Sequence, residues 1–188
     1  SATSDNPRQR GDVLLDVLGE FRTVLARYLW FKMDLFHEML DDQGVAPEQQ
    51  TEVLPLLRMV SLLDPTMTDA HDIIAWDLYK GHGQPEQALE ILDEALAQSE
   101  GSFSIHFRRA LILYQSGRYD DALQSSKRAL QFSKDEFDVL NANRMLYWSA
   151  KQVGDKVAMG KALDALRASR PDDKLWKSEE AAMDAPPR

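Results

Sequence analysis

The chain repeats itself at an interval of 34 residues. The motif Gly-x-Pro-Glu-x-Ala-Leu, which contains Ala88, returns as Gly-x-Tyr-Asp-x-Ala-Leu, which contains Ala122. Ala95 and Ala129, seven residues further on, keep the same interval. A fixed period of this length is typical of stacked helical hairpins, because a single hairpin cannot bury its own apolar face. The repeat therefore predicts an all-α solenoid in which neighbouring hairpins share a core.

Apolar periodicity and turn residues divide the chain into three parts. We expect a flexible lead over residues 1–12, a helical solenoid over 13–171, and a C-terminal cap with a mobile tail over 172–188. The solenoid should contain about four antiparallel hairpins, at about residues 13–64, 68–100, 103–134 and 137–170. Trp176 should pack over the last hairpin, because the open end of a solenoid must hide apolar surface. The final residues, from about Ala182, should be mobile.

The opening helix is predicted to be long. Apolar residues recur at helical spacing between Val13 and Leu40, and Gly19 is the only helix-weakening residue inside this run. Two alternatives follow: one continuous helix of about 40 Å, or a break near Gly19. A continuous helix would overshoot a normal repeat helix and leave Leu14, Leu18 and Phe21 exposed.

The repeated segment resembles the tetratricopeptide repeat over about residues 69–136. In that family small residues stand where two helices approach closely, and one unit here has Ala110, Ala122 and Ala129 at those positions. The preceding unit has Trp76 at the first of them. Either its first helix is displaced, or Ala75 takes over as the contact residue.

The opening segment carries a second, weaker resemblance. Leu18-Gly19-Glu20-Phe21-Arg22, followed later by Leu63-Asp64-Pro65, is similar to bacterial repeat proteins in which such a segment follows a membrane anchor. The resemblance implies an extracytoplasmic, membrane-tethered parent in an envelope-associated assembly, in preference to a cytoplasmic protein. Any membrane contact would then come through an anchor or a partner.

Composition argues against several classes of function. Lys and Arg total 22 against 31 Asp and Glu, so the chain lacks the positive surface that non-specific nucleic-acid binding requires. Cysteine is absent, which excludes disulfides, thiolate zinc sites and cysteine nucleophiles. The four histidines are dispersed, and no glycine loop of the phosphate-binding kind occurs. We therefore predict no metal, no cofactor and no enzymatic activity.

Charge is unevenly distributed between the two matching repeats. Residues 64–100 carry nine acidic residues and one basic residue, whereas 103–134 carry six basic and two acidic residues. The two segments either complement each other within the stack or present a charged surface to a partner.

The tetratricopeptide resemblance implies a concave face lined by the first helix of each hairpin, where a protein or peptide binds. The chain would then be a non-catalytic scaffold or adaptor, unless these residues only touch neighbouring helices or the tail. Transferring the family positions gives Ile73, Asp77, Phe107, Arg108, Leu111, Tyr114, Asn141, Arg144 and Trp148.

A second function follows from the apolar opening helix. An exposed stripe containing Leu14, Leu18 and Phe21 would mark a partner or dimer surface. The chain would then be a structural subunit that oligomerises, or docks into a larger complex, through this helix.

Overall fold

A computed structural model of the chain describes residues 19, 21–42, 44, 53–99 and 101–184. Within these ranges the chain is almost entirely helical, so the predicted all-α fold class is confirmed. The helices are α1 Phe21–Asp42, α2 Val53–Leu63, α3 Thr68–Lys80, α4 Pro85–Gln98, α5 Phe103–Gln115, α6 Tyr119–Gln131, α7 Glu136–Val153, α8 Lys156–Ser169 and α9 Lys174–Asp184.

Consecutive helices pair into four hairpins: α1 with α2, α3 with α4, α5 with α6, and α7 with α8. The first helices of successive hairpins also touch, since α3 contacts α5 and α5 contacts α7. These contacts build a solenoid in which each hairpin leans on its neighbours. The ninth helix, α9, packs on α8 at the C-terminal end.

The glycine that opens each repeated motif serves the turn inside its hairpin. Gly83 and Gly117 have φ of +65° and +78°, in the left-handed region that residues other than glycine rarely adopt. A Cβ built on either residue would meet no atom within 4 Å. Backbone conformation, and not lack of space, therefore requires glycine at these two turns.

The repeated alanines lie where helices meet. Ala88, Ala95, Ala110, Ala122 and Ala129 are all completely buried, as close helix packing requires. Two apolar clusters form the core, one built from α1 to α6 and the other from α6 to α9. They adjoin in α6, because Ala122 belongs to the first cluster and Leu123 to the second.

Ala75, and not Trp76, occupies the contact position of the second hairpin. Ala75 is completely buried, whereas Trp76 is half-buried. Of the two alternatives posed by the sequence, the local shift to Ala75 is therefore correct. The shift leaves the Trp76 ring available to contact the next hairpin.

Gly19 has a backbone conformation outside the right-handed helix, so the alternative of one continuous helix from Val13 to Leu40 is wrong. Gly19 has φ of +43°, which a right-handed helix does not allow. α1 begins at Phe21, and the Arg22 amide donates to the Gly19 carbonyl at 3.3 Å. The predicted lead and the candidate interface residues Leu14 and Leu18 lie outside the described residues.

The segment after the last hairpin is helical from Lys174 to Asp184. Trp176 is buried, with 2% of its surface exposed, and it packs into the second core cluster. The prediction that Trp176 covers the last hairpin is therefore confirmed. Helix α9 also continues through Ala182, while residues 185–188 lie outside the described part.

Candidate functional site

The predicted groove residues lie on three neighbouring helices, α3, α5 and α7. α3 carries Ile73 and Asp77, and α7 carries Asn141, Arg144 and Trp148. The helix between them, α5, carries Phe107, Arg108, Leu111 and Tyr114. Because α5 contacts both other helices, it forms the middle of this surface. We call the nine residues together the groove set.

At the α3 end of the groove set, one apolar and one acidic side chain reach solvent. Ile73 is 39% exposed. The carboxylate of Asp77 is partly exposed and lies 3.4 Å from Nε2 of His82, in the turn that follows α3. This end therefore offers an apolar contact beside a carboxylate.

Arg108 is committed to an internal contact and does not present a free cation. Its Nε and Nη2 atoms donate to the two carboxylate oxygens of Asp72 at 2.7 and 2.8 Å. Its guanidinium also stacks over the Trp76 ring, 4.3 Å from the ring centroid. An arginine that makes a bidentate ion pair and stacks on a ring holds the two helices that carry these groups in a fixed relative position. Arg108 therefore joins α3 to α5.

The middle of the groove set is aromatic. Phe107 stacks on Phe103 with ring centroids 5.5 Å apart, and Tyr114 meets Tyr119 edge-on at 5.3 Å. The Nε2 atom of Gln152 on α7 donates to the Tyr114 hydroxyl at 3.4 Å, which links the third and fourth hairpins. Phe107, Tyr114 and the neighbouring Leu111 are all half-buried. Half-buried aromatic side chains in a fixed frame are typical of binding hot spots.

At the α7 end, Arg144 is exposed and Asn141 is half-buried. Trp148 belongs to an aromatic cluster in which its ring lies 5.1 Å from Tyr147 and 6.2 Å from Trp176 of α9. The Lys151 ammonium stands 5.1 Å from the Trp148 ring centroid. Trp148 therefore touches the chain's own C-terminal segment, which is the alternative that the sequence left open for it.

A polar contact that sequence reasoning missed fastens α9 to α7. The Tyr147 hydroxyl donates to Oε2 of Glu179 at 2.5 Å, and the Lys151 ammonium donates to the same oxygen. Burial of Glu179 favours its neutral form, but the hydrogen bonds from Lys151 and Tyr147 outweigh this and lower its pKa below the ordinary value. Burial and the adjacent carboxylate raise the pKa of Tyr147.

The opposite charges of the two central repeats meet as ion pairs. Nη1 of Arg118 lies 3.4 Å from Oε2 of Glu86, and Nε of Arg109 donates to Oδ1 of Asp93 at 3.0 Å. Arg109 also donates to the Ser125 hydroxyl at 2.8 Å. The interpretation that the acidic and basic repeats complement each other in the stack is confirmed.

A second candidate surface lies on α1, which precedes the helices of the groove set in the sequence. Seven large apolar side chains of α1 are at least 36% exposed. At 100° per residue they fall within an arc of roughly 120° on the helix. We call them the outer stripe: Phe21, Val24, Leu25, Tyr28, Phe31, Leu35 and Met39. Ala26 and Met33, on another side of α1, are buried in the core, so the helix has two apolar faces.

Within the part of the chain that the structure describes, no cluster of three His, Asp or Glu side chains has the arrangement of a metal site. None of the helices in this part combines the length and apolar character that crossing a membrane requires.

Comparison with known proteins identifies the central repeats. Residues 77–137 match the family model described as tetratricopeptide repeat. The match covers about a third of the chain. The resemblance drawn from the alanine spacing is therefore confirmed, whereas the resemblance to membrane-anchored proteins stays a prediction. No curated protein matches the chain.

Solved structures extend the tetratricopeptide fold over most of the chain. The MamA RS-1 ArsTM double mutant is 14% identical, covers 88% of this chain and 84% of its own, and has a TM-score of 0.63. TTC0263, a thermophilic protein of Thermus thermophilus, is 17% identical, with coverages of 87% and 97% and a TM-score of 0.56. YrrB, described as having an unusual peptide-binding site, is 16% identical, with coverages of 89% and 88% and a TM-score of 0.56. At these identities the comparison establishes the shared fold.

Proposed function

We propose that this tetratricopeptide repeat protein is a non-catalytic scaffold or adaptor that binds a protein or peptide along α3, α5 and α7. The observation that carries the proposal is the half-buried aromatic and aliphatic centre on α5, formed by Phe107, Leu111 and Tyr114. Solvent-accessible rings held by neighbouring side chains bind a partner with little loss of conformational entropy. The similarity of the fold to YrrB, with its peptide-binding site, supports this use of the fold.

The charges at the two ends of the groove set suggest the chemistry of the bound segment. Asp77 stands at the α3 end, and Arg144 is exposed at the α7 end. A complementary segment has a basic residue toward α3, apolar side chains over α5 and an acidic residue toward α7. Because Arg108 is already paired with Asp72, capture of a terminal carboxylate by this arginine is not part of the proposal.

We also propose a bacterial envelope-associated assembly as the setting of this scaffold. The resemblance of the opening segment, together with Leu63-Asp64-Pro65, supports this setting. Detection of the chain in the membrane fraction of its native cells, released by a protein-denaturing wash or by detergent, is the expected result.

A peptide selection tests the groove directly. Peptides selected from a random library on the immobilised full chain are expected to lose affinity about tenfold or more for Tyr114→Ala and for Ile73→Asp, as truncated hot spots do. Fluorescence anisotropy with a labelled selected peptide measures the change. Tyr114→Ala and Ile73→Asp alter side chains that are half-buried and 39% exposed, respectively, so the fold should tolerate both.

Val157→Asp is the matched control for Ile73→Asp. Val157 is also a β-branched residue with an exposed side chain, 70% of its surface being accessible, but it lies on α8 outside the groove set. The affinity of the Val157→Asp chain for the selected peptide should equal that of the unaltered chain. Equal affinities of all three variants would show that the peptide binds elsewhere and would contradict the proposal.

The second candidate function is a structural subunit that associates through α1. The outer stripe favours it, since exposed apolar surface of this extent usually marks an interface. Phe21, which the sequence proposed for this interface, is 77% exposed at the start of the stripe. This candidate uses a surface separate from the groove set, so the two functions are compatible.

A further inference from the structure

We propose that the outer stripe pairs with the same stripe of a second copy, with the two α1 helices antiparallel across a two-fold axis. The proposal rests on the second candidate function and specifies its partner. Four independent features of the described residues support it: the spacing of the stripe, the charges beside it, the closed C-terminal end of the solenoid, and the exposed area.

The spacing of the stripe fits a helical partner. Phe21, Val24, Tyr28, Phe31 and Leu35 follow one another at intervals of three, four, three and four residues. This alternation is the a/d pattern of a coiled coil, which keeps one apolar seam facing a neighbouring helix. All five side chains are at least 46% exposed, so the seam has no partner among the described residues.

The charges that flank the seam favour an antiparallel pair. Beside the seam, Arg27 stands in the first half of α1, whereas Asp34, Glu38 and Asp42 stand in the second half together with Lys32. A parallel pair would place like charges side by side. An antiparallel pair brings Arg27 of each copy near Asp34 of the other, which is the complementary arrangement. The same alignment seats Tyr28 against Phe31, and Val24 against Leu35, of the second copy.

The two ends of the solenoid differ in a way that favours closed pairing. The C-terminal end is covered by α9, where Trp176 is 2% exposed. The N-terminal end presents the outer stripe. A head-to-tail chain of copies would need an open C-terminal face to receive α1, whereas a two-fold pair joins the same face of both copies. The structure therefore favours a dimer over a filament.

The exposed area is sufficient for a stable dimer. The seven side chains of the outer stripe together present roughly 800 Å², which is about what each partner contributes to an interface of standard size. Met59 and Leu62 of α2, which packs against α1, are 50% and 65% exposed and add apolar surface to the same hairpin.

Sedimentation velocity of the full chain between 1 and 100 µM, on the order of the range in which interfaces of this class form, tests the association. The unaltered chain is expected to sediment as a dimer at the upper concentration. Phe31→Glu places a charge in the middle of the seam and should give a monomer. Phe137→Glu is the matched control, because Phe137 is 70% exposed on α7 and should leave the dimer intact.

Cysteine cross-linking tests the direction of pairing, and the natural chain has no cysteine to interfere. Val24→Cys and Leu35→Cys chains of different mass are mixed, denatured, refolded together and oxidised. The antiparallel arrangement predicts mainly disulfides between the two different variants. Disulfides that form mainly within each variant would instead indicate parallel helices and overturn the proposed arrangement.

The remaining outcomes assign the stripe to other occupants, and each overturns the proposal. A monomer whose Val24→Cys thiol resists alkylation would indicate that residues 1–18 of the same chain cover the stripe. A monomer that sediments with phosphatidylglycerol vesicles would assign the stripe to a lipid surface. The selected groove peptide separates the two proposed functions, because Phe31→Glu should bind it with unchanged affinity whether or not the chain dimerises.

Discussion

At the scale of single residues, two fully buried serines have different hydrogen bonding. The Ser126 hydroxyl donates to the carbonyl of Ala122 at 2.7 Å. The Ser149 hydroxyl is equally buried, on α7, and has no hydrogen-bond partner among the described residues. A buried hydroxyl that loses its water without gaining a partner costs free energy on folding.

We predict that Ser149→Ala raises the free energy of unfolding by about 1 kcal/mol, because it removes a desolvated hydroxyl without opening a large cavity. Ser126→Ala should instead lower it by about 1 kcal/mol, the net value of a typical hydrogen bond. Urea unfolding followed by circular dichroism measures both changes. A loss of stability for Ser149→Ala as large as that for Ser126→Ala would mean that its hydroxyl makes a hydrogen bond in solution.

At the scale of elements, the attachment of α9 depends on the ionised state of Glu179. Its pKa is lowered from 4.5 by the hydrogen bonds from Lys151 and Tyr147, so folding stabilises the carboxylate. The carboxylate therefore contributes fully to stability above pH 4.5, and its contribution is lost as the pH falls through the lowered pKa of the folded state. The attachment of α9 to α7 should therefore weaken in acid.

We predict that Glu179→Gln lowers the free energy of unfolding at pH 7 by about 1.5–3 kcal/mol, the range for hydrogen bonds to charged groups. The difference from the unaltered chain should be smaller at a second pH well below 4.5, because Glu179 is protonated as the pH falls through its lowered pKa. Urea unfolding at both pH values, followed by circular dichroism, measures this. Tyr147→Phe keeps the ring and removes one donor, so it should reduce the pH dependence in part. An equal difference at both pH values would contradict the role of ionised Glu179.

Some features of the helices and their contacts were predictable from the sequence, and others were not. Local signals predicted the hairpins correctly, because glycines such as Gly117 fix turns and alanines such as Ala122 fix close helix contacts. The burial of Trp176 was predictable from the need to cover an open end. The bond between Tyr147 and Glu179 was not, since it joins residues 32 positions apart through no recurring motif.

The same distinction applies to the candidate site. The family pattern predicted which helices carry the groove set. Which of those side chains contact other parts of the same chain depends on tertiary structure. Arg108 was predicted to face a partner, yet it pairs with Asp72, which lies on another helix. Trp148 was predicted to line the groove, yet Trp176 of α9 contacts its ring. Pairing between helices far apart in sequence leaves no periodic signal.

At the scale of the whole molecule, the central helices of the solenoid pack against more neighbouring helices than the first helix does. α5 contacts α3, α4, α6 and α7, whereas the main packing partner of α1 is α2. In repeat proteins, stability is approximately a sum over the units and their nearest-neighbour interfaces, so a terminal hairpin with one interface opens more readily than a central one.

We therefore predict a gradient of amide hydrogen exchange, with the slowest exchange in α5 and α6 and the fastest in α1 and α2. The C-terminal hairpin should lie between them, because α9 fastens it through Trp176 and Glu179. Mass-spectrometric exchange at a protein concentration below about 1 µM, on the order of a weak dissociation constant, measures the gradient in the monomer. Glu179→Gln should accelerate exchange in α9 and leave α1 unchanged. Slower exchange in α1 than in α5 at this concentration would contradict the nearest-neighbour account.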